Sequence, residues 1–353
     1  MLHYIPSKAP ILSFLFLLFW IGVSAHTSEK KIGNATDSTS LFDHIYQMEG
    51  VPSIKINTDY GYLLRKSMKE EYQPAKVIIT NSSGEMVMDS ETRIRTRGNM
   101  RKQVCGVPPI KIDFTDEELQ QQGFLSMDDL KFIFPCGRKQ WDQTRLYKEY
   151  LVYQMYDVVG EHGMRVKLIN VEFIDDDDTK YDFVGMLVED EEEYARRKNA
   201  KIVEVGKLSD GGLDRDSFLK MTFFQYMIAN TDWTVPTKHN LEIVKIPGVA
   251  KVMGIPYDFD YCGFVGHKYA VPHSDLPIKS VHERYFFPYE ITEKEFYEMV
   301  EYYQSVQDDI TGIIANASYL DERAMNDCQD YVSDFFKLLE NPKRLKKSIV
   351  TSR

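Results

Sequence analysis

The chain has 353 residues, 43% hydrophobic and 13% aromatic, which is enough apolar material for the core of one large domain or two lobes. Its 54 acidic and 43 basic residues leave a formal charge of −11, which argues against a nucleic-acid partner because phosphate backbones are held by a basic footprint. A metal ion or a basic protein substrate suits such a surface better.

The first residues address the chain. Lys8 and the N-terminus supply positive charge, Ile11 to Val23 is an apolar run, and Val23-Ser24-Ala25 has the small side chains of a cleavage site, so residues 1–25 read as a cleavable signal peptide. The run is too short for a membrane span, which needs ~20 apolar residues. The mature chain is therefore expected to lack a transmembrane span and to be exported to the periplasm, the cell surface or the medium. No Cys follows the cleavage site, which disfavours a lipid anchor. Residues 26–40, rich in Ser, Thr, Lys and Asn, read as a disordered leader. Asn34-Ala35-Thr36, Asn81-Ser82-Ser83 and Asn316-Ala317-Ser318 match the glycosylation triplet, which matters only in a eukaryotic secretory pathway. Cys105, Cys136, Cys262 and Cys328 all lie in the exported portion, where disulfides are permitted. Cys105 and Cys136 flank one strand-rich segment and are the favoured pair; buried free thiols are the alternative.

From about 50 to 115 the pattern is that of strands. Val51 to Ile56 alternates, Ala75 to Thr80 is β-branched, and the turn Asn81-Ser82-Ser83-Gly84 leads into Glu85–Arg97. Arg93, Arg95 and Arg97 share one face of that strand. In Pro108-Pro109-Ile110-Lys111-Ile112-Asp113-Phe114, Lys111 faces opposite to its apolar neighbours. The period then changes: Asp142 to Val159 carries Leu146, Tyr150, Leu151, Tyr153 and Met155 at mainly helical spacing, with Glu149 in the same helix. Arg165–Asp175 and Tyr181–Val188 read as a hairpin across Asp175-Asp176-Asp177-Asp178, a solvated acidic turn without the alternation and glycine of a calcium loop. Beyond Glu189 the chain turns helical. Asp214 or Asp216 caps a helix through Asn230, residues 240–246 and 250–256 form a hairpin, Thr292-Glu293-Lys294-Glu295 has capping-box spacing, and 320–340 is a further helix. The fold class expected is α+β in two lobes: a mostly antiparallel sheet lobe with one helix over 41–188, and a mainly helical lobe over 189–345 that carries the catalytic and metal loops.

Phosphoryl transfer needs a lysine for the phosphates, carboxylates and an Asn for a divalent metal, and an Asp near the acceptor hydroxyl. Lys111 supplies the cation and Glu149 an ion-pair partner for it. Asp232, at the end of a helix, is the candidate acceptor base; Asn240, Asp258 and Asp260 are the candidate metal ligands. Each has an ordinary alternative use: a solvent-facing strand lysine, a helix charge, or Asp side chains that cap turns. His239 is a structural hydrogen-bonding group before it is a ligand. Their order along the chain is more informative than any member alone.

Arg95-Thr96-Arg97-Gly98-Asn99, Pro109–Phe114, Gly185-Met186-Leu187-Val188-Glu189, Asn230-Thr231-Asp232 with His239-Asn240, and Ile255-Pro256-Tyr257-Asp258-Phe259-Asp260 resemble the successive motifs of the spore-coat CotH kinase family. These are secretory-type atypical protein kinases, and the chain looks like an exported bacterial branch of them over roughly residues 90 to 265. The resemblance implies a two-lobed atypical protein-kinase-like fold, ATP with Mg2+ or Mn2+ as cofactors, and a protein substrate. It makes Lys111 the phosphate-binding lysine, Glu149 its partner, Asp232 the catalytic Asp, Asn240 and Asp258 the metal ligands, Glu189 a residue near the adenine, and Arg97 and Gly98 neighbours of the phosphates. No Gly-x-Gly-x-x-Gly precedes Lys111, no His-Arg-Asp precedes Asp232, and Asp260 stands where an ordinary kinase has Gly, so an ordinary protein kinase is excluded more firmly than an atypical one. The competing functions are a catalytically inactive kinase-like module that binds a surface protein or glycan, and a metal-dependent phosphoesterase built from Asp232, His239, Asp258 and Asp260.

Overall fold

The computed structural model describes residues 39–349, apart from Asp128 and Asp177. The signal peptide, nearly all of the leader and Asn34 lie outside the described residues. Alternating apolar side chains build the N-terminal half. Strands β1 (Ser53–Asn57), β2 (Gln73–Thr80), β3 (Met86–Thr96), β4 (Ile110–Asp113), β5 (Asp129–Ile133), β6 (Val166–Asp175) and β7 (Asp178–Val188) direct every second residue into one core, including Ile54, Ile56, Val77, Ile79, Ile94, Ile110, Ile112 and Phe132. The expected sheet closes into a barrel in the order β1-β2-β3-β4-β5-β7-β6. Closure comes from one parallel pairing, in which Ser53 of β1 lies opposite Asn170 of β6; all other neighbours are antiparallel. A closed sheet has no free edge to protect.

Short helices α1 (Leu41–Gln47), α2 (Tyr60–Arg65), α3 (Arg101–Val104) and α4 (Asp116–Gln121) punctuate the strands, and the long α5 (Gln140–Gly160) crosses from the barrel to the second half. Helices α1 to α4 have too few residues for a legible 3.6 period. Helix α5 buries Leu146, Leu151, Val152, Tyr153, Met155, Tyr156 and Val159 in a second core, and with them Glu149. That core also holds α6 (Glu191–Arg197), α7 (Arg215–Met227), α8 (Glu293–Ser305), α9 (Gln307–Ala315), α10 (Glu322–Glu340) and α11 (Pro342–Ile349). A small sheet β10-β9-β8, from β8 (Lys201–Ile202), β9 (Leu241–Lys245) and β10 (Met253–Pro256), lies among them.

The caps agree with the sequence signals. Asp214 accepts the Ser217 N–H at the start of α7, and Thr292 with Glu295 forms a complete capping box on α8. Among the described residues no helix is long and apolar enough to cross a membrane.

Cys105 and Cys136 are joined, while Cys262 and Cys328 are buried free thiols. The disulfide ties the end of α3 to the approach of α5, and the Gly106 N–H donates to the Cys136 carbonyl at 2.9 Å beside it. The bond spans 31 residues, so removing it releases loop entropy in the unfolded chain worth about 3–4 kcal/mol. A Cys105→Ser/Cys136→Ser protein is expected to lose that much in a urea titration; an unchanged midpoint would show that the link does not constrain the fold.

Candidate functional site

Helix α7 ends where Ala229 adopts a left-handed backbone, φ 51°. Asn230 then makes an Asx turn: its Oδ1 accepts the Asp232 N–H at 2.9 Å, and its amide donates to Gln225 Oε1 at 2.9 Å. Asp232 is thereby presented at the edge of the core, with about a third of its side chain exposed (34%). The chain turns back through Lys238 (φ 55°) and Asn240 (φ 52°), paired across Thr234 and His239. His239 Nε2 lies 2.9 Å from Asp232 Oδ1; Asn240 Nδ2 donates to Asp232 Oδ2 at 3.1 Å and to the Asp232 carbonyl at 2.8 Å. Both oxygens of the carboxylate are thus oriented by neighbours.

The second acidic segment follows β10. Asp258 is also left-handed (φ 57°), and its N–H donates to the Tyr153 hydroxyl at 2.9 Å. Phe259 is fully buried, edge-on to Tyr153 at 4.9 Å and to Phe224 at 6.1 Å between ring centroids. It anchors the loop while Asp258 and Asp260 line a cleft. A left-handed non-glycine residue is strained by roughly 1–3 kcal/mol. Half of the eight such residues in the described chain, namely Ala229, Lys238, Asn240 and Asp258, lie beside these carboxylates. Strain that concentrates in this way points to a site rather than to an ordinary turn.

The third wall is the 97–101 segment. The Arg97 N–H donates to the Pro109 carbonyl at 2.9 Å, Gly98 turns with φ 83°, and α3 carries Arg101 inward. Arg101 is buried between two carboxylates: it pairs with Glu149 through one terminal nitrogen, and its Nε donates to Asp260 Oδ2 at 2.9 Å. The Tyr269 hydroxyl donates to the same Asp260 oxygen at 2.7 Å. Burial raises Glu149 to about 6 against the pull of Arg101. Burial also acts to raise Asp260, but Arg101 outweighs it and holds that carboxyl below its usual range. Asp258 is raised well above the ordinary carboxylate range, first by burial and then by repulsion from Asp260.

Arg97, Arg101, Asp232, His239, Asn240, Asp258 and Asp260 therefore line one cleft, which encloses about 100 Å³. Of the acidic and basic side chains in it, two stand apart. Among the described residues, neither the Arg97 guanidinium nor the Asp258 carboxylate has a hydrogen-bond or ion-pair partner, whereas Arg101, Asp232, His239 and Asp260 are all engaged.

Three expected positions fall elsewhere. The Lys111–Glu149 ion pair is not formed. Lys111 lies opposite Arg95 and Lys131 in the barrel wall and pairs with Asp129, which raises its pKa despite the opposing effect of burial. Lys111 and Glu149 are not among the residues lining the cleft. Glu189 is fully buried in an ion-pair knot: it accepts from Arg165 Nε at 2.8 Å and from Arg197 Nε and Nη2 at 2.7 Å each. Only its neighbour Val188 reaches the cleft. Sequence reasoning missed Arg101 and Tyr269, since neither sits in a motif or at a telling spacing, and it read Tyr153 only as a position on the inner face of a helix.

A metal could be met at the Asp258 carboxylate and at the Asn240 Oδ1, which accepts no hydrogen bond from the described residues. Among those residues no three His, Cys, Asp or Glu side chains converge as a metal cage. A magnesium carried by phosphates needs only one or two carboxylates from the protein. The cleft volume suits the phosphate end of a nucleotide rather than the whole molecule, since pockets for ligands of that size enclose ~300–1,000 Å³. A larger cavity of about 650 Å³ lies between α5 and α10, floored by Gly263–Gly266 and without the paired carboxylates.

No family model matches the chain, and no curated protein matches it. Among solved structures, a Helicobacter pylori proinflammatory kinase, CtkA, is similar over 71% of this chain and 94% of its own, with 11% identity and a TM-score of 0.42. A Shewanella oneidensis toxin–antitoxin complex of HipA, HipB and operator DNA contains a chain similar over 65% of this one and 62% of its own, with 12% identity and a TM-score of 0.29. Both likenesses are distant.

Proposed function

We propose that this chain is an exported, divalent-metal-dependent phosphotransferase of the CotH type, which moves the γ-phosphoryl group of ATP to a hydroxyl of a protein substrate. The observation that carries this reading is the pair of unengaged opposite charges in one cleft, Arg97 and Asp258, beside an oriented carboxylate, Asp232. An anion and a cation together, as in a metal nucleotide, would satisfy both charges at once; a neutral ligand would satisfy neither.

The residues divide the work by their chemistry. Asp258 and the Asn240 amide oxygen would hold Mg2+ or Mn2+, which, when bound, neutralises charge on the β- and γ-phosphates. Arg97 offers the guanidinium fork for phosphate oxygens. Asp232, held by His239 and Asn240, accepts the proton of the acceptor hydroxyl as its oxygen bonds to the γ-phosphorus and the bond to the β-phosphate oxygen breaks, with ADP as leaving group. Glu149 acts through Arg101 rather than through Lys111.

The test is phosphate incorporation from labelled ATP with Mn2+ or Mg2+, wild type beside Asp232→Asn. The variant keeps the shape of the side chain but cannot take the proton, and turnover is expected to fall on the order of 10²-fold while nucleotide binding persists. Equal incorporation by the two proteins would remove Asp232 from the chemistry. A second reading, a kinase-like binding module without turnover, is favoured by the small volume of the cleft. Nucleotide binding with no phosphoprotein from the wild type would select it.

A further inference from the structure

Arg101 lies outside every motif that suggested a function, yet it joins two walls of the cleft, its own segment and the Asp258 loop, to α5. It belongs to α3, directly after Arg97-Gly98-Asn99; Glu149 belongs to the middle of α5; and Asp260 belongs to the loop that carries Asp258. The guanidinium is buried and reaches both carboxylates, with Nε on Asp260 at 2.9 Å and a terminal nitrogen on Glu149. The Tyr269 hydroxyl donates to the same Asp260 oxygen at 2.7 Å, and His267 stacks on Tyr269 at 4.6 Å between ring centroids. Among the described residues, only Asp258 of the two loop carboxylates is left unengaged.

We infer that Arg101 is the positioning residue of this centre: by engaging Asp260 and Glu149 together it sets the Asp258 loop against α5 and withholds Asp260 from the metal. Its role deepens the phosphotransfer reading and rests on it for the kinetic part of the test. A fork with two donors at a fixed angle can span two carboxylates, whereas an ammonium is a single point of charge, so lysine restores the charge without the geometry. Arg101 does not contact the reacting groups; it acts through Asp260 and the loop.

The experiment uses the full mature chain with Arg101→Lys and Arg101→Gln. In Arg101→Lys, kcat is expected to fall roughly 10²-fold, the loss produced by an ångström of misplacement, with the KM for ATP within about threefold of wild type. An unchanged kcat, or a change confined to KM, would overturn the role. Titration with MnCl2 alone, without nucleotide, gives a readout that needs no turnover. Arg101→Gln frees Asp260 to join Asp258 and removes a nearby positive charge, so Mn2+ should bind about tenfold more tightly than to wild type, while Arg101→Lys stays near wild type. Equal Mn2+ affinity in all three proteins would show that Arg101 does not restrain Asp260. If the wild type transfers no phosphate but the Mn2+ affinities separate in this order, the phosphotransfer reading fails and the positioning role stands.

Discussion

Asp258→Asn is expected to stabilise the metal-free protein by about 1–2 kcal/mol at neutral pH while lowering turnover about 10³–10⁴-fold. The native carboxylate is raised well above its usual range by burial and by the nearby Asp260 charge, with Glu149 adding to the repulsion. The sign follows from linkage. The folded state holds the proton more tightly than the unfolded state, so the contribution of this group is fully present below the ordinary carboxylate pKa of ~3.9 and is lost as pH rises through the folded value. An asparagine has no proton to lose. The two proteins should therefore melt together near pH 4 and separate progressively above it, with the variant more stable. Adding Mn2+ should reverse the order, because a ligand at 100 times its Kd stabilises the wild type by ~2.7 kcal/mol and leaves the variant unmoved. Metal affinity should rise with pH over the same window, since cation and proton compete for one carboxylate. A wild type that is more stable than Asp258→Asn without metal at pH 7.5 would sink this account.

Arg101→Met is expected to destabilise the fold by about 3–5 kcal/mol at pH 7.5, the usual consequence of removing one partner from a buried ion pair. The loss should be large here because Glu149, Asp258 and Asp260 would be left together around the vacated position with no buried cation between them. Two opposing linkages act in the native protein. Glu149, raised to about 6, contributes stability that is lost as pH rises from its unfolded value of about 4.5 through about 6. Asp260, held low, contributes stability present above the ordinary Asp pKa and lost as pH falls through its lowered value. Without Arg101 the second contribution disappears and the first grows, so the variant should lose stability steeply as pH rises. Urea titrations at pH 5 and 7.5 would show it: the gap to wild type should be smaller at pH 5, and Arg101→Met/Glu149→Leu should recover part of the loss by pairing apolar with apolar. A penalty that is the same at both pH values would mean that the three carboxylates do not share one field.

Much of the fold was legible because it rests on local periodicity. Alternation marked β1 to β4 and the β6–β7 hairpin, helical spacing marked α5 and α10, and Asp214 and Thr292 marked the starts of α7 and α8. The favoured Cys105–Cys136 pairing is the one formed. The helix opened by the Thr292 capping box ends before Val306, where α9 follows it, and α1 to α4, β5 and α6 went unread because each is too short to impose a period.

Among the candidate site residues the same boundary holds. The order Asp232, Asn240, Asp258, Asp260 could be read because each sits at the end of a recognisable element, and all four line one cleft. The engagement of Lys111 could not, because its partner Asp129 is a neighbour across β4 and β5 and depends on their register. The resemblance placed Glu189 near the adenine, but its arginines, Arg165 and Arg197, reach it only through the pairing of β6 with β7 and the turn of α6.

The amino-acid sequence by itself determined where the longer strands and helices form and which carboxylates stand at loop ends, and it favoured the cysteine pair that forms, since these follow from short-range patterns of burial, capping and turn chemistry. Only the tertiary structure decided that the barrel closes through Ser53 opposite Asn170, and that Arg101, 48 residues from Glu149 and 159 from Asp260, is the cation paired with Glu149, a pairing expected of Lys111. A buried cation is assigned to the carboxylates that packing brings within reach of it, and no local pattern encodes a contact between segments so far apart in the chain.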